Sequence, residues 1–371
     1  MSAVLDRIPG QDDAIAFLRG AAERPHHAYV MAGPEGSGKS LAARAFAAAL
    51  LCADGGCGEC RDCRLALHDQ HPNVFIVEPE GRDIHVDTIR EEVWHPAYRT
   101  APEPGRKVFL IREADRLSPS AADTLLKVLE EPPADAVFLL LSARAHELPE
   151  TIWSRCHVVT FTALSEAFVV GQLTAEGVPP KRARLAARLS GGNLGRARRM
   201  AVDEDGLAFR DTAIRALELC AAGVAGALDA AELVVRAAAE HKKGMGRELE
   251  DELAPFLDER GRPEEAYRGS IRRIETRFAR RQRRAERDYV DRVLLAASAI
   301  LRDAVAAGVG APAGVLLNQD RPVPTGEAPV AVSVAGLGAV EEARAALADD
   351  VNLNHRLAVE RAFLQVAARA A

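Results

Sequence analysis

The chain has 371 residues, 48% apolar and 27% charged, and 48 Lys and Arg against 54 Asp and Glu leave a net charge of −6. That length supports two or three domains with full cores, and the acidic balance excludes a chain that binds nucleic acid through overall basicity. No run of about 18 uncharged apolar residues is present to cross a membrane. The segment Leu41–Leu51 is short and carries Arg44, and the opening MSAVLDRIPGQDD lacks the basic and apolar regions of a secretory leader, so a cytoplasmic location is expected.

In chain order, His27–Met31 (HAYVM) reads as a short buried strand, followed by a glycine-rich turn, Gly33–Gly38, and a helix over Ser40–Leu51 rich in alanine and leucine. Val74–Val77, Val108–Ile111 and Ala136–Leu141 are further apolar runs of strand length. A helix over Ser120–Glu131 lies between the last two, with Leu125, Leu126 and Leu129 on one face and Pro132-Pro133 ending it. Such alternation predicts a parallel sheet covered by helices on both faces, over residues 1–165. Residues 166–203 predict two or three short helices with turns at Gly177–Pro180 and Gly191–Asn193. Residues 204–371 show only helical patterns, interrupted at Asp258–Pro263 and by a Gly- and Pro-rich stretch, Gly308–Gly338, expected to be a loop.

Gly33-Pro34-Glu35-Gly36-Ser37-Gly38-Lys39-Ser40 fits the phosphate-binding loop G-x-x-x-x-G-K-[ST], with a strand before it and a helix after it. Glycines let consecutive backbone N–H groups converge on phosphate oxygens, and the helix N-terminus adds partial positive charge. Lys39 is expected to reach the β- and γ-phosphates and Ser40 to ligate Mg²⁺; the plainer reading is a glycine turn that binds nothing. Cys52, Cys57, Cys60 and Cys63 form C-x4-C-x2-C-x2-C. Four thiolates suit a tetrahedral structural Zn²⁺ with no position left for water. The alternative is a set of reduced thiols or a redox pair. Cys156 and Cys220 are isolated and read as buried free thiols.

Taken together, HAYVMAGPEGSGKS, the four-cysteine module, LLKVLEEPP (Leu125–Pro133) and SRC (Ser154–Cys156) resemble the bacterial DNA polymerase III clamp-loader subunits, which are AAA+ proteins. The resemblance covers residues 1 to about 200. It implies an α/β AAA+ domain, a small helical lid over 166–203 and an all-α collar over 204–371 that assembles into a hetero-oligomeric ring. The partners it implies are gamma/tau and delta subunits, with the sliding clamp and primed DNA met through the complex and no membrane contact.

Two kinds of subunit share these motifs, the ATP-hydrolysing gamma/tau motor and the delta-prime stator. In the motor an Asp-Glu pair ends the third strand. Here that place holds Arg112-Glu113, so Glu113 is a vestigial candidate for polarising water, and a cation stands where a carboxylate would support Mg²⁺. The competing reading turns Arg112 to solvent and lets Asp115 substitute. The motor's lid arginine position is Gly195, with Arg196 one residue late and about 100° around a helix. SRC is intact, and the resemblance makes Arg155 an arginine finger for a neighbour's nucleotide; otherwise it is a capping or salt-bridging arginine. The asymmetry fits the stator, with weak or absent ATPase and no polymerase chemistry of its own. An active motor is the alternative, and a small-molecule P-loop kinase, which has no use for LLKVLEEPP or SRC, is a remote one.

The collar contains an arginine-rich helix, about 265–306. Between residues 268 and 292 stand ten arginines against four carboxylates, with an apolar seam at Ile271, Ile274, Phe278, Ala285, Tyr289 and Val293. A DNA-backbone contact and a salt-bridged solvated helix both fit that charge. The lack of interleaved aromatics favours the second.

Overall fold

Five strands, β1 Ala28–Ala32, β2 Val74–Val77, β3 Lys107–Ile111, β4 Ala136–Ser142 and β5 His157–Thr160, form one parallel sheet in the order β2-β3-β4-β1-β5. Every residue of β3 and β4 is buried, as expected of strands covered on both faces. The computed structural model describes residues 2–79, 83–202, 206–256, 267–321, 330–349 and 353–367. They divide into two units: residues 1–168, 192–194 and 252–277, and residues 169–191, 195–251 and 278–371.

In the first unit the helices are α1 Asp12–Glu23, α2 Lys39–Leu51, α3 Arg61–Leu67, α4 Val86–Ile89, α5 His95–Tyr98, α6 Pro119–Glu130 and α7 Glu150–Trp153. Phe46, Tyr29, Met31 and Leu139 pack in the core on one side of the sheet, and Phe109, Phe138, Leu125 and Leu129 on the other. Rings of Phe75, Phe109 and Phe138 stack across adjacent strands at 4.8 and 4.9 Å. Lys107 is buried yet satisfied, donating to Ala97 O (2.6 Å) and Arg99 O (2.7 Å), carbonyls that α5 leaves without partners. The expected strands and the helix at Pro119–Glu130 are all present, giving the expected α/β fold with a parallel sheet. Strand β5 has no counterpart among the expected elements.

The helices that follow are α8 Glu166–Ala175, α9 Pro180–Ser190, α10 Leu194–Val202, α11 Ala208–Cys220, α12 Gly223–Gly244, α13 Gly246–Leu253, α14 Arg268–Gly308, α15 Val330–Asp349 and α16 His355–Ala367. The second unit's core joins Ala213, Ala227, Ala231 and Val234 with Val293, Leu294, Val359 and Phe363. Small residues allow α11 and α12 to approach closely; a Cβ on Gly226 would strike Leu219 O.

The loop expected over Gly308–Gly338 requires correction: residues 330–338 are the first turns of α15. A Cβ on Gly336 would make ordinary van der Waals contact with Val366 and Leu301, so this glycine sits within a packed helix and marks no turn. Residues 309–321 are irregular but pinned. The buried Asp303 carboxylate accepts from Leu317 N (2.9 Å) and Asn318 N (2.7 Å), and Arg210 pairs with Asp320 at 2.6 Å. Residues 322–329, and the interruption at Asp258–Pro263, lie outside the described residues.

Candidate functional site

The phosphate loop leaves the C-terminal end of β1 and turns into α2. Gly36 (φ 75°) and Gly38 (φ 96°) take left-handed conformations that L side chains adopt at a cost. Gly38 caps α2 with no side-chain acceptor, so the first N–H groups of a 13-residue helix remain for an anion. Lys39 is buried beneath the loop, with Nζ donating to Gly33 O (2.5 Å) and Pro34 O (2.7 Å). Burial lowers its pKa, while Glu35 and Asp115 act to keep it charged. Ser37 Oγ is a buried polar atom without a hydrogen-bond partner. These features fit a phosphate chain. Ser40, the residue after Lys39, lies on the first turn of α2.

Two residues absent from the sequence reading of this loop hold its shape. Gln11, buried before α1, donates to Ser37 O (2.9 Å) and Thr162 O (2.8 Å) and accepts from Thr162 N (3.1 Å). Asn193 lies so close to Gly36 that a Cβ there would overlap its side chain. Neither has a local signal, since each meets its partners across 26 to 157 positions of chain.

At the adjacent ends of β2 and β3, Arg112 donates to Glu78 (2.6 Å) and to Asp69 (2.5 Å). Asp69 also accepts from Arg44 of α2 (3.0 and 2.7 Å), and it holds a left-handed backbone at φ 62°. Burial opposes ionisation of Asp69, but Arg112 and Arg44 hold its carboxyl below the usual range. Arg112 stays charged against its own burial because Asp69 and Glu78 face it. It therefore does not turn to solvent. Asp115 accepts from Ser142 Oγ (2.5 Å) and Arg144 (3.0 Å), and Glu113 pairs with Arg116 (3.0 Å). Gly195 and Arg196 lie on α10, in the second unit.

The four cysteines converge between α2 and α3. Cys52 ends α2 and Cys60 caps α3, its sulfur accepting from Cys63 N (3.4 Å). Sulfur separations are 3.7 Å for Cys52–Cys57, 3.7 Å for Cys52–Cys60 and 4.0 Å for Cys57–Cys63. A tetrahedron with metal–sulfur bonds of ~2.3 Å has edges of ~3.8 Å, whereas a disulfide needs ~2.05 Å. Gly55 and Gly58 turn the chain with positive φ, and a Cβ on Gly56 would meet Ser2 Oγ at 2.5 Å. Burial pushes the Cys60 and Cys63 thiols up. Against burial, N–H groups of Cys57, Gly56 and Asp54 bring Cys52 down to about 7. The donor set fits one structural divalent ion.

A second cluster, Asp62, His71 and Glu103, has its donor atoms within 4.8 Å. Here His71 Nδ1 accepts from Asn73 N (3.1 Å), so Nε2 carries the proton, directed at Asp62 (3.5 Å), while Arg61 forks Glu103 (3.1 and 3.0 Å). These are the bonds of a polar knot, not a metal site. Burial raises the thiols of half-buried Cys156, to about 12, and of buried Cys220, to about 11.

Arg155 precedes β5, at the N-terminal edge of the sheet, where it donates to Glu130 (2.8 Å). Because β5 runs parallel beside β1, whose C-terminal end feeds the phosphate loop, the length of β1 separates the two sites, roughly 16 Å.

Residues 10–165 match the family model described as DNA polymerase III, delta subunit. The chain is 43% identical over 157 residues to the DNA polymerase III subunit delta' of Pseudomonas aeruginosa, 41% of this chain and 47% of that one. It is 33% identical over 174 residues to the subunit delta' of Bacillus subtilis, 45% and 52% of the two chains. With the DNA polymerase III subunit tau/gamma of Haemophilus influenzae it shares 35% identity over 198 residues, 50% and 28%. The chain thus spans about half the length of the delta' relatives it matches.

Proposed function

With residues 10–165 falling in the DNA polymerase III delta-subunit family and aligning with proteins named delta', we propose that the chain is a delta-prime-type stator of a clamp loader. It supports ATP-driven loading of a sliding clamp onto primed DNA, and Arg155 enters the nucleotide pocket of an adjoining gamma/tau-type subunit. Residues 1–165 serve as the AAA+ domain, 166–203 as its lid and 204–371 as the collar. Cys52, Cys57, Cys60 and Cys63 hold a structural Zn²⁺. Gly33, Gly36, Gly38, Lys39 and Ser40 hold ATP or ADP with Mg²⁺, which braces the fold. The cell compartment is the cytoplasm.

One observation carries this reading. Arg155 stands at the opposite edge of a parallel sheet from its own phosphate loop, where it pairs with Glu130; that distance from its own nucleotide site supports a role toward another chain. Its own pocket is poorly equipped in turn: the place of the motor's metal-supporting carboxylate holds Arg112, committed to Asp69 and Glu78.

The intact phosphate loop and the tau/gamma relatives favour a second reading, an active gamma/tau-type motor. Arg155→Ala in the assembled loader is expected to depress ATP turnover at least tenfold at the neighbouring pocket without dispersing the complex. Unchanged turnover would remove the trans role. Brisk turnover by the isolated chain would favour the motor.

A further inference from the structure

Arg155 is engaged within its own chain. Nη2 donates to Glu130 Oε1 (2.8 Å), and Nη1 donates to Thr151 O (2.9 Å) and Ser154 Oγ (3.1 Å). Glu130 is the last residue of α6 and the first glutamate of LLKVLEEPP, a motif that neither the nucleotide nor the zinc reading uses.

Both residues line a cleft of about 560 Å³ with His26, His27, His157 and Ser154 among its walls. The His26 ring lies 4.1 Å from that of His27 and 4.3 Å from that of His157, and His27 Nε2 is buried without a hydrogen-bond partner. The guanidinium and the Ser154 hydroxyl offer this wall donors for an anion, while burial and the neighbouring His26 and His157 hold the His27 imidazole toward its neutral form. Among the lining residues Glu130 brings the only carboxylate, and it covers the guanidinium face that an anion would use.

The pair is weakly held. Its side chains are 34% and 44% exposed, and an exposed pair shifts an equilibrium about two- to fivefold. Carboxylate and phosphate are alternative acceptors for the same planar fork of N–H donors.

We propose that Glu130 is a positioning residue for Arg155: its carboxylate keeps the guanidinium drawn back against α6 in the free chain and yields it to the phosphate of a nucleotide carried by an adjoining subunit. This inference rests on the trans role of Arg155 given above. The exchange trades one charge-assisted hydrogen bond for another, so a subunit contact of ordinary strength suffices to drive it.

Two readouts test it. In the isolated full chain, the rate of phenylglyoxal modification at Arg155, followed by peptide mass mapping, is expected to rise about two- to fivefold in Glu130→Gln. Arg112 serves as an internal reference whose rate is unchanged, and Glu130→Asp, which keeps the charge on a shorter arm, falls between the two. In the assembled loader, Glu130→Gln is expected to raise kcat/KM for ATP by a similar factor, through KM. An unaltered modification rate at Arg155, or a fall in kcat/KM, overturns the proposal. Loss of the trans role is read separately, as unchanged turnover in the Arg155→Ala complex, because the modification rate is measured on the chain alone.

Discussion

Asp69 is held by two guanidiniums, Arg112 from the end of β3 and Arg44 from α2, and Glu78 shares the first of them. Replacing Arg112 by aspartate, the change that restores the motor's local sequence, would set a third carboxylate against two buried ones. Arg112→Asp is therefore expected to lose about 3 kcal/mol in urea unfolding and to gain no ATP turnover; a stable, active variant would show that only this residue separates the chain from a motor. The same cluster sets an acid response. Asp69 is more acidic folded than unfolded, so its ionised form favours the fold above about pH 4, and that contribution fades as pH falls toward the folded value. Arg112→Gln removes the strongest counter-charge, raises the folded value, and should move the acid-unfolding midpoint to higher pH in melts between pH 3 and 6. An unmoved midpoint would mean that Arg44 alone sustains Asp69. None of this was legible in the sequence: Arg112 stands out only against a motif, and its partners lie 43 and 34 residues earlier in the chain.

Elements differ in how much of themselves they write locally. The four strands read from sequence are those buried on both faces, which appear as unbroken apolar runs, whereas three of the four residues in β5 (HVVT) are exposed. Conversely, Gly336 and Gly338 look like loop residues yet lie inside α15, a helix whose Val340 and Leu347 are buried in the core of the second unit. The cysteine module is the most legible feature because metal spacing is local, and it joins the end of α2 to the start of α3. Metal analysis should give about one zinc per chain, and Cys57→Ser with Cys60→Ser should abolish it and speed amide exchange over residues 52–67; a zinc-free preparation that keeps its protection would defeat the structural role. In the arginine-rich helix the apolar seam is buried as the pattern predicts. Its charge also has work within the fold, since Arg273 donates to Pro72 O (2.8 Å) and lies 4.7 Å over the Phe75 ring. Arg273→Ala is accordingly expected to lower stability by about 1–2 kcal/mol while leaving retention of primed DNA by the loader unchanged. Lost DNA retention with intact stability would reverse the assignment.

Across the whole molecule the governing fact is the polarity of the sheet. Parallel strands place every loop that follows a strand at one edge, so the phosphate loop, Arg112 and Ser142 gather there. Segments that precede strands gather at the other edge, with His26, His27 and Arg155 among them. Under the proposed trans role of Arg155, a single chain built this way would carry half of two different pockets, one at each edge. Groups within one catalytic site give strongly non-additive losses, because the second change finds little left to remove, whereas groups in separate sites act independently. In the assembled loader, Lys39→Ala should therefore cost less than Arg155→Ala, and the double variant should lose the product of the two factors. Steady-state ATP turnover of complexes carrying each single and the double change measures this directly. A double variant no worse than Arg155→Ala, when Lys39→Ala alone has a sizeable effect, would place both residues in one working pocket and would undo the division of the chain into a lent half and a retained half.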